Sequence, residues 1–77
     1  MKISNALLTM FAVFTKPDGT IGRAKKKTIG YTPHKEIKFV ESLHKDGNTD
    51  VYVGVRIGRI KKGELNQLTV QDTFIAT

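Results

Sequence analysis

Cysteine is absent from the sequence. Disulfide frameworks and thiolate zinc sites are therefore excluded, and a reducing, cytoplasmic location is the expectation. Acidic side chains are few, 7 against 13 Lys and Arg. Long apolar runs are also missing: none approaches the roughly 20 residues that a membrane-spanning helix needs, so no membrane partner is expected. The nearest to one is Met1 to Phe14, where one Lys precedes mostly apolar residues. Thr15, Lys16, Pro17 and Asp18 come directly after it without a small-residue cleavage pattern, so a buried strand is expected there and not a secretory signal.

Catalytic constellations are lacking as well. Nucleophilic catalysis needs a nucleophile, a base and an orienting group brought together, and nothing in the settings of Ser4, Ser42, His34 or His44 marks such a role. Two histidines do not make a metal site without further ligands in fixed geometry. No enzyme activity, metal or cofactor is expected. The spacing from Gly58 to Gly63 is that of a phosphate-binding P-loop. Glu64 and Leu65 stand where that loop needs Lys and a hydroxyl, and the setting is not strand-then-helix, so the match is rejected. Gly19-Thr20-Ile21-Gly22 has the spacing of a KH backbone clamp, but it starts in a hairpin turn and not between two helices.

What is present is a short, basic chain. Seventy-seven residues make a single domain, 1–77, with a thin core. Such a core is marginal without a metal, a disulfide or a partner subunit, so self-association is one way to supplement it. The formal net charge of +6 and pI of about 9.9 point to an anionic partner, above all nucleic acid.

Three turn signals divide the chain. Lys16-Pro17-Asp18-Gly19 has the residues of a tight turn and predicts a hairpin between Thr9–Thr15 and Thr20–Ile29. Asp46-Gly47-Asn48 and Lys61-Lys62-Gly63-Glu64 punctuate the C-terminal half. The firmest strand is 49–60, where Val51, Val53, Val55 and Ile57 share one parity. In 65–76 Leu68, Val70, Phe74 and Ala76 share a parity that Asp72 interrupts, which a bulge or turn at Gln71-Asp72 would explain. Residues 33–44 fit two readings. Thr32 as N-cap and Pro33 at the first helical position, with Ile37, Val40 and Leu43 spaced by three, suit a helix. Ile37, Phe39 and Leu43 on one parity suit a strand, which is preferred. The expected fold is all-β: five to six antiparallel strands in a small curled sheet or OB-like barrel, with one short helix near 33–44 as the variant.

The other face of the strand 49–60 holds Tyr52, Gly54, Arg56 and Gly58. An aromatic ring, cations and a low glycine surface together resemble the sheets on which single strands stack their bases while cations track the phosphates. The basic residues form two clusters, Arg23, Lys25, Lys26 and Lys27, and Arg56, Arg59, Lys61 and Lys62. These eight are expected to neutralise phosphates, with Tyr52 and Tyr31 stacking on bases. The same features suit a plainer role, in which glycines mark bends and lysines only solubilise an outer face or guard an edge. The expected function is non-enzymatic binding of nucleic acid, single-stranded DNA or RNA. The alternative is a protein-interaction or inhibitor module, directed at a host protein or assembling as a homo-oligomer.

Several short motifs extend this picture: Phe14-Thr15-Lys16 with Asp18-Gly19, then Ile37-Lys38-Phe39-Val40. Val51-Tyr52-Val53-Gly54 with Ile57-Gly58 and Lys61-Lys62 comes next, and Leu68-Thr69-Val70 with Asp72 ends the series. In these the chain resembles a family of small uncharacterised proteins of bacterial plasmids, phages and other mobile elements. The resemblance implies an all-β fold and a mobile-element context. It brings no established activity and no catalytic residues.

Overall fold

The computed structural model describes residues 7–73 and 75–76 of the chain. Its order is β1 (Leu7–Thr15), β2 (Ile21–Ile29), α1 (Pro33–Lys45), β3 (Thr49–Ile57), a one-turn helix α2 (Lys62–Leu65), a 3₁₀ turn (Val70–Asp72) and a short β4 (Ile75–Ala76). The strands lie in the order β2-β1-β3-β4, each antiparallel to its neighbour. β2 and β3 therefore run parallel on either side of β1, and α1 is the crossover that joins them.

The β1–β2 hairpin forms where its turn residues predict. Gly19 takes a φ of 87°, a conformation open to glycine and strained for most side chains. Asp18 Oδ1 accepts from the Thr20 amide at 2.9 Å and from its hydroxyl at 2.6 Å, and the Lys16 amide closes the loop on the Thr20 carbonyl at 2.8 Å. β1 is apolar without alternation because both of its faces are covered. Met10, Ala12 and Phe14 pack with Val51 and Val53 of β3 under Phe39 and Leu43 of α1. On the opposite face Phe11 packs with Ile60, Leu68 and Leu65. Thr9 is wholly buried on that side, and its hydroxyl donates to the Gly58 carbonyl at 2.6 Å.

The expected all-β architecture is corrected. Three long strands form an open sheet with a two-residue β4 at its edge, and a 13-residue helix covers one face; the sheet does not close into an OB-like barrel. The preference for a strand over 33–44 fails because the local helix signals prevail. Thr32 Oγ1 accepts from the Lys35 amide at 3.2 Å, Pro33 opens the first turn, and Phe39 and Leu43, four residues apart, are buried on one side. The helix ends where Gly47, at φ 90°, turns the chain and its amide donates to the His44 carbonyl at 2.9 Å. The strand expected over 49–60 stops at Ile57, where Gly58 takes φ 89°.

The expected strand over 65–76 is likewise replaced. Leu68 is buried and Val70 is exposed, so their shared parity reflects no sheet face. The break at Asp72 is a turn: its carboxylate accepts from the Thr69 amide at 2.7 Å. The part of that expectation that falls on Phe74 lies outside the described residues, as do Ser4 and the first six residues of the N-terminal run. Among the described residues no helix is long and apolar enough to cross a membrane.

Candidate nucleic-acid interface

The strand register distributes the cations before any side chain is considered. Thr9 of β1 stands between Lys27 and Arg56, Phe11 between Lys25 and Gly54, and Val13 between Arg23 and Tyr52. Partners in register point to the same face. Arg23, Lys25, Lys27, Tyr52 and Arg56 therefore share the face opposite α1. Lys26, paired with Met10, points to the helix side.

The segment 58–73 lies across this shared face and takes up part of its charge. Arg23 Nε donates to the Leu68 carbonyl at 2.7 Å, and Lys25 Nζ donates to the Ile60 carbonyl. Each cation thereby pins one point of the covering segment and keeps further N–H donors free. Arg56 Nη1 meets Glu64 Oε2 at 2.8 Å, and Glu64 Oε1 accepts from the Lys61 amide at 3.2 Å. The carboxylate thus ties the outer end of β3 to the start of α2. Both members of the ion pair are substantially exposed, so its stabilisation is of the order of 0–1 kcal/mol.

Between β2 and the start of α2 a groove of about 440 Å³ remains, lined by Lys25, Lys27, Arg59, Ile60, Lys61 and Glu64. Four of the six described residues that line it are cationic. Its one acid is already engaged by Arg56 and the Lys61 amide. The groove unites residues from the two basic clusters, which sequence spacing alone does not bring together. Lys62 opens α2 and does not line it.

The glycine surface expected beside Tyr52 is filled at Gly54; Gly58 faces open space but lies beyond the end of β3. A Cβ on Gly54 would lie 2.8 Å from Phe11 Cε1 and 2.9 Å from the Asp72 carbonyl oxygen. Gly54 is buried and Tyr52 half-buried, so no open bed for a base lies between them. Tyr31 is on the other side of the sheet, packed against the core beneath α1, and its hydroxyl donates to Glu36. Burial, with the Glu36 hydrogen bond and charge added, pushes the Tyr31 phenol up to about 12. Its ring and hydroxyl are both occupied within the fold.

No protein-family model matches the chain, no curated protein matches it, and no solved structure does. Residue roles therefore rest on geometry and chemistry. The register-dependent features were not visible from sequence: the anchoring of Arg23 and Lys25 on backbone carbonyls, the occupied Gly54 and the role of Glu64. The cross-strand partners are far apart in the chain.

Proposed function

We propose that this chain is a non-enzymatic nucleic-acid-binding protein that holds phosphates in the groove between β2 and α2, without base readout. The observation that supports it is the convergence of Lys25, Lys27, Arg59 and Lys61 on one groove. Phosphate contacts of this kind supply sequence-independent affinity. The groove is on the scale of a small-ligand cleft, about 300–1,000 Å³. That suits a flexible single strand better than a duplex, whose persistence length is about 150 bp. With Gly54 covered and Tyr31 engaged, binding is expected to depend weakly on base identity.

Self-assembly through the sheet edge is the less favoured alternative. β2 is an edge strand with Lys25, Lys26 and Lys27 at its middle. An antiparallel pairing centred there would set these lysines against their own copies, and like charges directly opposite are destabilising. A cytoplasmic setting belongs to the same proposal, where nucleic acid is at hand.

The test is a fluorescence-anisotropy titration of a labelled single-stranded oligonucleotide over a salt series. Affinity should fall linearly on logarithmic axes, and Lys27→Glu with Lys61→Glu should abolish binding at moderate salt while leaving the circular-dichroism spectrum unchanged. No affinity at low salt, or affinity indifferent to salt, overturns the reading.

A further inference from the structure

A second basic cavity lies on the opposite face of the same edge strand. It measures about 240 Å³ and is lined by Lys26, Thr28, His34, Lys35 and Lys38 over Met10. Among the described residues no acidic side chain lines it. Of the acids on α1, Glu36 takes the Tyr31 hydroxyl, and Glu41 pairs only loosely with the cavity's own Lys38, at 3.8 Å and with both side chains exposed. Lys35 Nζ donates to the Ile29 carbonyl at 2.7 Å and stands fixed at the rim. The Lys26 backbone is held in the ladder with Met10, but its ammonium has no hydrogen bond or ion pair with any described residue and is available.

The two cavities are separated by one strand. Successive residues of a strand point to opposite faces, so Lys25 and Lys27 serve the α2-side groove while Lys26 serves the α1-side cavity. Because β2 is the outermost of the described strands, no described strand lies beyond the backbone that joins them. The exposed run Lys25-Lys26-Lys27 is therefore a positive saddle with a cationic hollow on each flank.

From this we infer that one single-stranded polyanion straddles the β2 edge, with successive phosphates in the α2-side groove, over the lysine run and into the Lys26–Lys35–Lys38 cavity. This rests on the proposed nucleic-acid function and deepens it, since it assigns a second subsite and the path of the strand between the two. A chain bent over a single strand must be flexible on the scale of a few nucleotides. Single-stranded DNA or RNA meets that requirement and a duplex does not.

The experiment compares oligothymidylates of about 3 and about 12 nucleotides, lengths that bracket the roughly 4–16 nucleotides held by compact single-strand-binding domains, with a 12-bp duplex. Proteins are the wild type, Lys26→Ala, Lys38→Ala and Lys27→Ala. Lys26→Ala and Lys38→Ala should weaken the long strand about three- to ten-fold, lower its logarithmic salt slope by about 0.7 per lost phosphate contact, and leave the short strand unchanged. Lys27→Ala should weaken both, and the duplex should bind less tightly than the long strand.

If Lys26→Ala and Lys38→Ala bind the long strand as the wild type does while Lys27→Ala is weakened, the second subsite is overturned and the groove function stands. Equal weakening of short and long strands by Lys26→Ala, or a duplex bound as tightly as the long strand, also overturns the straddle. If no oligonucleotide binds, the function itself falls. Circular dichroism of each variant guards against misfolding, and neither Lys26 nor Lys38 anchors backbone.

Discussion

The Phe11 ring occupies the space above Gly54. The two residues are direct cross-strand partners on β1 and β3, and a side chain at position 54 would meet the ring on one side and the Asp72 carbonyl on the other. The glycine on the polar face of β3 is thus a packing feature: it lets a large ring lie flat on the sheet and lets the chain from Gly58 to Thr73 close over it. Ile60 and Leu68 complete that small second core. The same covering segment supplies Arg59, Ile60, Lys61 and Glu64 to the lining of the groove.

Gly54→Ala should accordingly destabilise the protein. Overpacking of a filled site costs about 1–3 kcal/mol, and about 1 kcal/mol corresponds to roughly 4–8 °C in Tm for a domain of this size. A thermal melt with Gly63→Ala as comparison checks this. A Cβ at position 63 meets nothing within 4 Å, so that variant should melt at or slightly above the wild type. Equal melting temperatures for Gly54→Ala and wild type would show that the ring does not fill the site.

Much of the scaffold was legible because its signals are local. Pro17, Asp18 and Gly19 specify a turn within four residues, and the valines of β3 declare their face by simple alternation. The helix was written just as locally in Thr32 and Pro33, but its buried side is only Phe39 and Leu43. With two anchors, periods of two and of 3.6 are hard to separate. The segment after Gly58 misled for the same reason, since Leu68 and Val70 alternate by accident between a buried site and solvent. The candidate site was half legible: its cations stand out, but which of them converge depends on register. Lys25, Lys26 and Lys27 are consecutive, yet the sheet sends the middle one to the other side.

Thr9→Val tests how the second core is tied down. The Thr9 hydroxyl is fully buried and donates to Gly58, at the point where the chain leaves β3. Valine matches its shape but leaves the Gly58 carbonyl without that donor, at a cost of about 1–3 kcal/mol. Urea unfolding should show a lower midpoint with an unchanged slope. Amide exchange around 58–60 should also accelerate. An unchanged midpoint would mean that water replaces the hydroxyl at no cost.

Tyr31 predicts an alkaline loss of stability. Its phenol is pushed up to about 12 by burial first, then by the Glu36 hydrogen bond and charge. A raised value means that the folded state holds the proton more tightly than the unfolded chain, whose tyrosine titrates near 10. The stabilisation is complete below about pH 10 and is lost as the pH rises through about 12. In a Tyr52→Phe background, where Tyr31 is the remaining tyrosine, the tyrosinate absorbance should appear near pH 12. Adding Glu36→Gln should move it down, though not to the unfolded value, since burial persists.

Glu64→Gln addresses the electrostatics of the groove itself. Glu64 is its one lining acid, and its carboxylate faces Arg56 at 2.8 Å and the Lys61 amide at 3.2 Å. Glutamine keeps an oxygen acceptor but removes the charge that opposes an incoming phosphate. Removing a like charge about 4 Å away in water is worth about 1 kcal/mol, or roughly a five-fold gain in affinity for a single-stranded oligonucleotide at low salt. Arg56, released from its ion pair, adds a cation beside the groove, so the logarithmic salt slope should steepen by about 0.7. Stability should fall by no more than about 1 kcal/mol, because the pair is exposed. Tighter binding with a steeper slope and a nearly unchanged melt is the combination expected when Glu64 limits access to the phosphates. Weaker binding with an intact fold would instead make Glu64 a residue that positions Arg56 for the ligand, and the groove would then depend on the ion pair and not on its net charge.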